Sequence, residues 1–140
     1  MSQTIRQQPV TEDLKQLIQD GFKRHALEKT GMDGMMEEAV SFVAYDGKKV
    51  VGVLVAALFW GQLRIKNLIF EEAYRERGIA SELMARAHAY GLENGTTVSF
   101  LETMDFQAPG FYEKLGYKTE FARTGYAANA SFIFMRKDLK

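Results

Sequence analysis

Two β-competent runs separated by one helix-periodic segment constrain this 140-residue chain more than any other feature. Leu63-Arg64-Ile65-Lys66-Asn67-Leu68-Ile69-Phe70 alternates broadly as a strand does, and Val98 to Thr103 reads as a second strand. Between them Ile79, Leu83, Ala87 and Tyr90 recur every three or four residues along one face of a helix, with Glu82, Arg86 and Glu93 largely off it. Glu93-Asn94-Gly95 supplies the stop, because Asn and Gly tolerate the left-handed conformation that ends helices. Two strands joined through a helix are parallel neighbours in one sheet, with a right-handed crossover.

The junction before that helix carries the chemistry. A charged turn, Glu71-Glu72-Ala73-Tyr74, leads into Arg75-Glu76-Arg77-Gly78-Ile79-Ala80-Ser81. A loop entering a helix presents main-chain N–H groups with no partner inside the helix, and the helix dipole adds partial positive charge there, so the junction is a candidate anion site. Gly78 and Ala80 keep side-chain bulk away from those N–H groups, while Arg75 and Arg77 can add charge-assisted bonds. An ordinary strand-to-helix turn that needs a glycine has a similar composition, so the motif takes its meaning from context.

In that context, Arg75-x-x-Gly78-x-Ala80 resembles the acyl-CoA pyrophosphate loop of the GNAT superfamily of N-acetyltransferases. About thirty residues on, Gln107-Ala108-Pro109-Gly110-Phe111-Tyr112-Glu113-Lys114-Leu115-Gly116-Tyr117 resembles the family's later motif, a short helix carrying a tyrosine and closing on Leu-Gly-Tyr/Phe. The resemblance implies a single GNAT domain over residues 1–140. Its fold would be α/β (α+β), a mixed and mostly antiparallel six- to seven-stranded sheet with a central splayed parallel pair and helices on both faces. The activity implied is transfer of an acetyl group from acetyl-CoA to a primary amine of a small molecule or protein. Main-chain groups around Leu68, Ile69 and Phe70 would bond the pantetheine arm, and Arg75, Glu76, Arg77, Gly78, Ile79, Ala80 and Ser81 would surround the diphosphate. Gln107, Ala108 and Tyr112 are further cofactor contacts by position.

Tyr112 also matches the tyrosine that protonates the departing thiolate in this family. The base is where the chain departs from better-known members, because Leu63 to Phe70 lacks the carboxylate several of them carry. Glu102 and a water held by Asn67 or by backbone carbonyls are the candidates. Asp105 stands where many members have an asparagine, and is expected instead to cap the helix starting near Ala108. The acceptor pocket would draw on Met32 to Glu38, the hairpin loops and the link from Gly125 to Ala130, with Tyr126. Homodimers are common among such enzymes. The missing strand carboxylate also leaves room for a non-catalytic acyl-CoA sensor or scaffold.

Composition narrows the partners. The formal net charge is zero, so a nucleic-acid or anionic-membrane binder is not expected. With no cysteine there is no disulfide, thiolate metal site or cysteine nucleophile, and no metal site is expected. Three glycines of a dinucleotide fingerprint and the Gly-Lys-Ser/Thr of a Walker loop are both missing. The N-terminus has no apolar h-region, and the longest apolar run, Val50 to Trp60, is about half of the roughly 20 residues a membrane span needs. A cytoplasmic protein is expected, with that run as a strand buried on both faces.

The remaining elements follow in order. Thr4 to Val10 reads as a short first strand, and Thr11 as the N-cap of a helix with its apolar stripe at Leu14, Leu17, Ile18, Phe22 and Ala26. Val40 to Tyr45 and Val50 to Phe59 form a hairpin about Asp46-Gly47, and Trp60-Gly61 turns the chain into Leu63 to Phe70. Pro109 and Gly116 bracket the short helix, and Tyr117 to Thr124 and Ser131 to Leu139 close the sheet.

Overall fold

The computed structural model describes residues 2–33 and 39–140, in two compact units, Met1–Met35 and Met36–Lys140. The first unit holds helix α1, Glu12–Thr30. Thr11 caps it, its Oγ1 accepting from the Leu14 N–H at 3.2 Å, and Glu12 and Asp13 face the positive end of the dipole. Gly31, at φ 76°, ends it by donating its N–H to the Leu27 carbonyl at 3.0 Å. The expected strand from Thr4 to Val10 does not form, and residues 2–10 adopt no regular element. Only Ile5 and Val10 are apolar in this stretch, and Pro9 has no N–H to give a ladder. Of the expected acceptor wall, Gly34, Met35, Met36, Glu37 and Glu38 lie outside the described residues.

The second unit is built on a six-stranded sheet in the order β1-β2-β3-β4-β6-β5. Its strands are β1 Val40–Asp46, β2 Lys49–Phe59, β3 Gln62–Phe70, β4 Val98–Met104, β5 Lys118–Arg123 and β6 Phe132–Asp138. Every pairing is antiparallel except β3 with β4, the pair that the crossover helix α2, Ile79–Glu93, requires to be parallel. A short helix α3, Pro109–Lys114, joins β4 to β5. Two 3-10 turns complete the unit, Glu72–Arg77 and Ala127–Asn129, and the first replaces the simple charged turn expected at Glu71-Glu72-Ala73-Tyr74.

One face of the sheet meets both helices. Leu54, Ala56, Leu63, Ile65, Leu101 and Met135 point into it from the strands, and Leu83, Met84 and Ala87 meet them from α2. Phe111, Tyr112 and Leu115 pack on the same cluster from the α3 segment. Each fully buried leucine or methionine there contributes on the order of 1.5–3 kcal/mol. Gly91 lets α2 approach β3 closely: a Cβ at that position would sit 2.8 Å from Thr96 Oγ1 and 3.0 Å from Leu63 Cδ2. The expectation that β2 is buried on both faces is corrected here. Val51, Gly52, Leu54, Ala56 and Leu58 are buried, whereas the intervening Val53, Val55 and Ala57 are only half-buried. Among the described residues no helix is long and apolar enough to cross a membrane.

Candidate active site

Strands β3 and β4 pair only at Leu63↔Ser99 and Arg64↔Phe100, and then part. The local cause is a bulge. On β2, Val55 faces Asn67 while Ala56 faces Ile65, so Lys66 is an extra residue in β3, and such an insertion bends its strand. It lies two residues past the last β3–β4 pair. The outer edges stay zipped, β3 to β2 through Gly52↔Phe70 and β4 to β6 through Met104↔Phe132. The inner edges therefore face each other without ladder partners. Backbone groups left this way need water or a ligand.

Between the parted strands lies a cavity of about 500 Å³. Leu68, Ile69 and Phe70 line it from β3, and Glu102 and Thr103 from β4. Arg75, Gly78, Ala80 and Ser81 bring the α2 junction to its wall, and Gln107, Ala108, Phe111 and Tyr112 close it from the α3 side. The structure thus brings together most of the residues singled out in the sequence. Arg77 is not among those lining the cavity, and its guanidinium stacks on the Tyr74 ring at 4.7 Å. Ile79 turns its side chain to the core, against Gly52.

At the junction, Gly78 ends the 3-10 turn and starts α2 in the left-handed conformation, φ 73° and ψ 15°, where a Cβ is strained. No side chain caps α2 at this point. A Cβ added at Gly78 would meet nothing within 4 Å, so the space beside the first-turn N–H groups is open. An uncapped helix N-terminus with open space and an arginine at its edge suits a phosphate group, and the unladdered strand edges suit an amide-bearing arm.

Tyr112 is half-buried, edge-on to Phe111 at 5.2 Å and to Tyr117 at 6.0 Å. Burial pushes its phenol above the usual tyrosine range, so the group is protonated at neutral pH and able to donate. Tyr117 behind it is fully buried, with its hydroxyl 2.7 Å from Ser99 Oγ and 2.8 Å from His88 Nε2. Reading residues alone missed this polar cluster, since its members come from α2, β4 and the residue just before β5.

Glu102 is ion-paired to Arg64 at 3.2 Å, across the point where the strands part. Arg64 carried no sequence signal of its own; only the parallel register places it beside Phe100, two residues before Glu102. Asp105 does not cap α3. Ala108 holds the cap position with no side-chain bond, and Asp105 uses its main-chain N–H on the Ser131 carbonyl at 2.9 Å. Gln107 steadies the turn instead, its Oε1 accepting from the Met104 N–H at 2.8 Å. Among the described residues no group of His, Asp and Glu side chains could hold a metal ion.

A sheet opened between parallel strands, beside an uncapped helix N-terminus and a protonated phenol, has the features of an acyl-CoA-dependent acyltransferase. The model of the acetyltransferase (GNAT) domain matches residues 37–119. The chain is 31% identical over 105 residues to the blasticidin-S acetyltransferase of Streptomyces morookaense, covering 74% of this chain and 77% of that protein. Among solved structures it is similar to an acetyltransferase from Bacillus cereus, with a TM-score of 0.80 at 23% identity over 96% of this chain and 97% of the other. It also resembles an aminoglycoside 6'-N-acetyltransferase complexed with coenzyme A, with a TM-score of 0.66 at 18% identity over 93% of each chain. The chain belongs to the GNAT family of acetyltransferases, and its cosubstrate is acetyl-CoA.

Proposed function

We propose that this chain transfers an acetyl group from acetyl-CoA to a primary amine by direct attack within a ternary complex. The observation that carries the reading is the parting of β3 from β4 beside the uncapped start of α2. When bound, acetyl-CoA supplies an acetyl group activated as a thioester. The first-turn N–H groups of α2 and Arg75 hold its diphosphate, and the inner edge of β3 from Leu68 to Phe70 takes the pantetheine amides. The likeness to blasticidin-S acetyltransferase supports a small-molecule acceptor over a protein one.

A lysine-type amine near pKa 10.4 is only about 0.04% neutral at pH 7, equivalent to roughly 4.6 kcal/mol, so the site has to remove a proton. Glu102, or a water held by Asn67, takes it from the ammonium before attack, and the freed lone pair then forms the C–N bond. As the C–S bond breaks, Tyr112 gives its proton to the departing sulfur, and the second proton lost from nitrogen then restores the Tyr112 phenol. The sensor reading draws on one observation, that Arg64 already engages the Glu102 carboxylate.

Release of free CoA from acetyl-CoA across a panel of amines tests the proposal. Turnover with at least one amine is expected, and Tyr112→Phe should lower kcat about 100-fold, at the lower end for general acid catalysis, while changing acetyl-CoA affinity less than about 3-fold. Tight acetyl-CoA binding without turnover on any amine would leave the sensor reading in its place. Near-wild-type kcat in Tyr112→Phe would remove the proton-donor role.

A further inference from the structure

We propose that a second cavity, on the sheet face opposite α2 and α3, binds a flat cationic head on the acceptor, a guanidinium or similar group; this rests on the amine acetyltransferase reading above. The cavity measures about 320 Å³ and is lined by Phe59, Trp60, Gln62, Phe100, Glu120 and Phe134, together with Leu101 and Met135 of the strands that carry them. Gln62, Phe100 and Phe134 alternate with the core residues Leu63, Leu101 and Met135, which puts them on the other side of the sheet.

Its walls are braced. Phe59 and Phe100 meet edge-on at 6.3 Å, and Phe134 is held by Phe132 at 5.1 Å and Phe121 at 5.9 Å. Trp60 stands in the left-handed region, φ 48°, ahead of Gly61 at φ 82°, in a two-residue turn whose first position favours Asn, Asp or Gly. A bulky residue there is a backbone outlier of the kind that concentrates at ligand sites, and this one contributes to the cavity wall.

The charge is equally specific. Thr119 pairs with Met135 and Phe121 with Phe134, so Glu120 is the extra residue of a bulge, a device that re-aims a side chain. It makes no ion pair among the described residues. Of the guanidinium groups on this face, Arg64 is paired with Glu102, Arg136 with Asp138 at 3.1 Å, and Arg123 lies over the Phe121 ring at 6.0 Å rather than on Glu120. Aromatic faces with one uncommitted carboxylate attract a cation that is also flat, through its π-contacts and its charge together.

Position links this cavity to the transfer site. Glu102 lies directly opposite Phe134 in the β4–β6 ladder, and Phe100 precedes it by two residues, about 7 Å along the strand. An acceptor seated among the rings therefore places an amine some 7 Å away beside Glu102, at the mouth of the acetyl-CoA cavity. Agmatine, a primary amine and a guanidinium joined by a short chain, is the matching probe, and hexylamine is its uncharged-tail control.

Trp60 is the only tryptophan in the chain, so its emission reports on the cavity without any turnover. Agmatine should change it saturably, with at least 10-fold weaker binding in Glu120→Gln, a change on an exposed strand that leaves the core untouched. In turnover, agmatine should exceed hexylamine in kcat/KM by at least 10-fold, and Glu120→Gln should abolish that preference. No saturable change, or equal affinity in Glu120→Gln, overturns the proposal. Saturation of Trp60 with no turnover of any amine removes the enzyme reading and leaves the cavity's cation recognition standing.

Discussion

His88 shows how one side chain can couple the core to pH. Burial, with the nearby Lys137 charge adding to it, holds its imidazole at about 4 against an ordinary 6.5. The folded state prefers the neutral ring, so unfolding takes up a proton between those values. Stability is then full above about pH 6.5 and falls as pH drops toward 4, by about 2 kcal/mol after allowance for partial exposure. Urea unfolding at pH 7 and pH 4 should show this loss in the wild type. His88→Gln, which keeps a polar partner near Tyr117, should be flatter by about that amount. Equal slopes in the two proteins would mean that the ring is already protonated in the folded state.

At the scale of elements, the decisive feature is how β3 hands over to α2. Gly78 needs its left-handed φ, yet the space around it is open, so two substitutions separate strain from occupancy. Gly78→Ala should cost about 1 kcal/mol of stability through backbone strain and still bind acetyl-CoA. Gly78→Glu should fold similarly but lose acetyl-CoA binding by calorimetry, because a carboxylate then stands in the proposed diphosphate site. Unchanged affinity in Gly78→Glu would move the phosphate site elsewhere.

Much of this element was legible beforehand. The period of α2, its stop at Glu93-Asn94-Gly95 and the parallel relation of β3 to β4 are local patterns or consequences of connectivity, and they stand in the structure. The 3-10 turn over Glu72–Arg77 was not, because no hydrophobic period marks so short a helix. Thr4 to Val10 misled in the other direction, since a few strand-forming residues do not make a strand without a partner. Asp105 has the side chain of an N-cap, but its position before the turn held by Gln107 keeps it from α3.

For the molecule as a whole, the six-stranded sheet is closed along its outer ladders and open at one seam. Connectivity made the parallel pair foreseeable and the family resemblance implied its parting, whereas nothing in the sequence pointed to the aromatic cavity. Phe59, Phe100, Glu120 and Phe134 come from four strands, and their meeting depends on β6 lying between β4 and β5 and on a bulge that no local pattern reveals. The Arg64–Glu102 pair was hidden for the same reason, since it forms only in the observed register.

The central claim is that acetyl-CoA completes the sheet by occupying the unladdered inner edge of β3 while its diphosphate rests on the start of α2. Amide hydrogen exchange with and without acetyl-CoA tests this most directly, because a bond to the ligand slows exchange at the amides that make it. Slower exchange is expected within residues 66–70 and 78–82, with the outer strand β5 unchanged. Unchanged exchange in both segments, while acetyl-CoA is bound, would contradict the account.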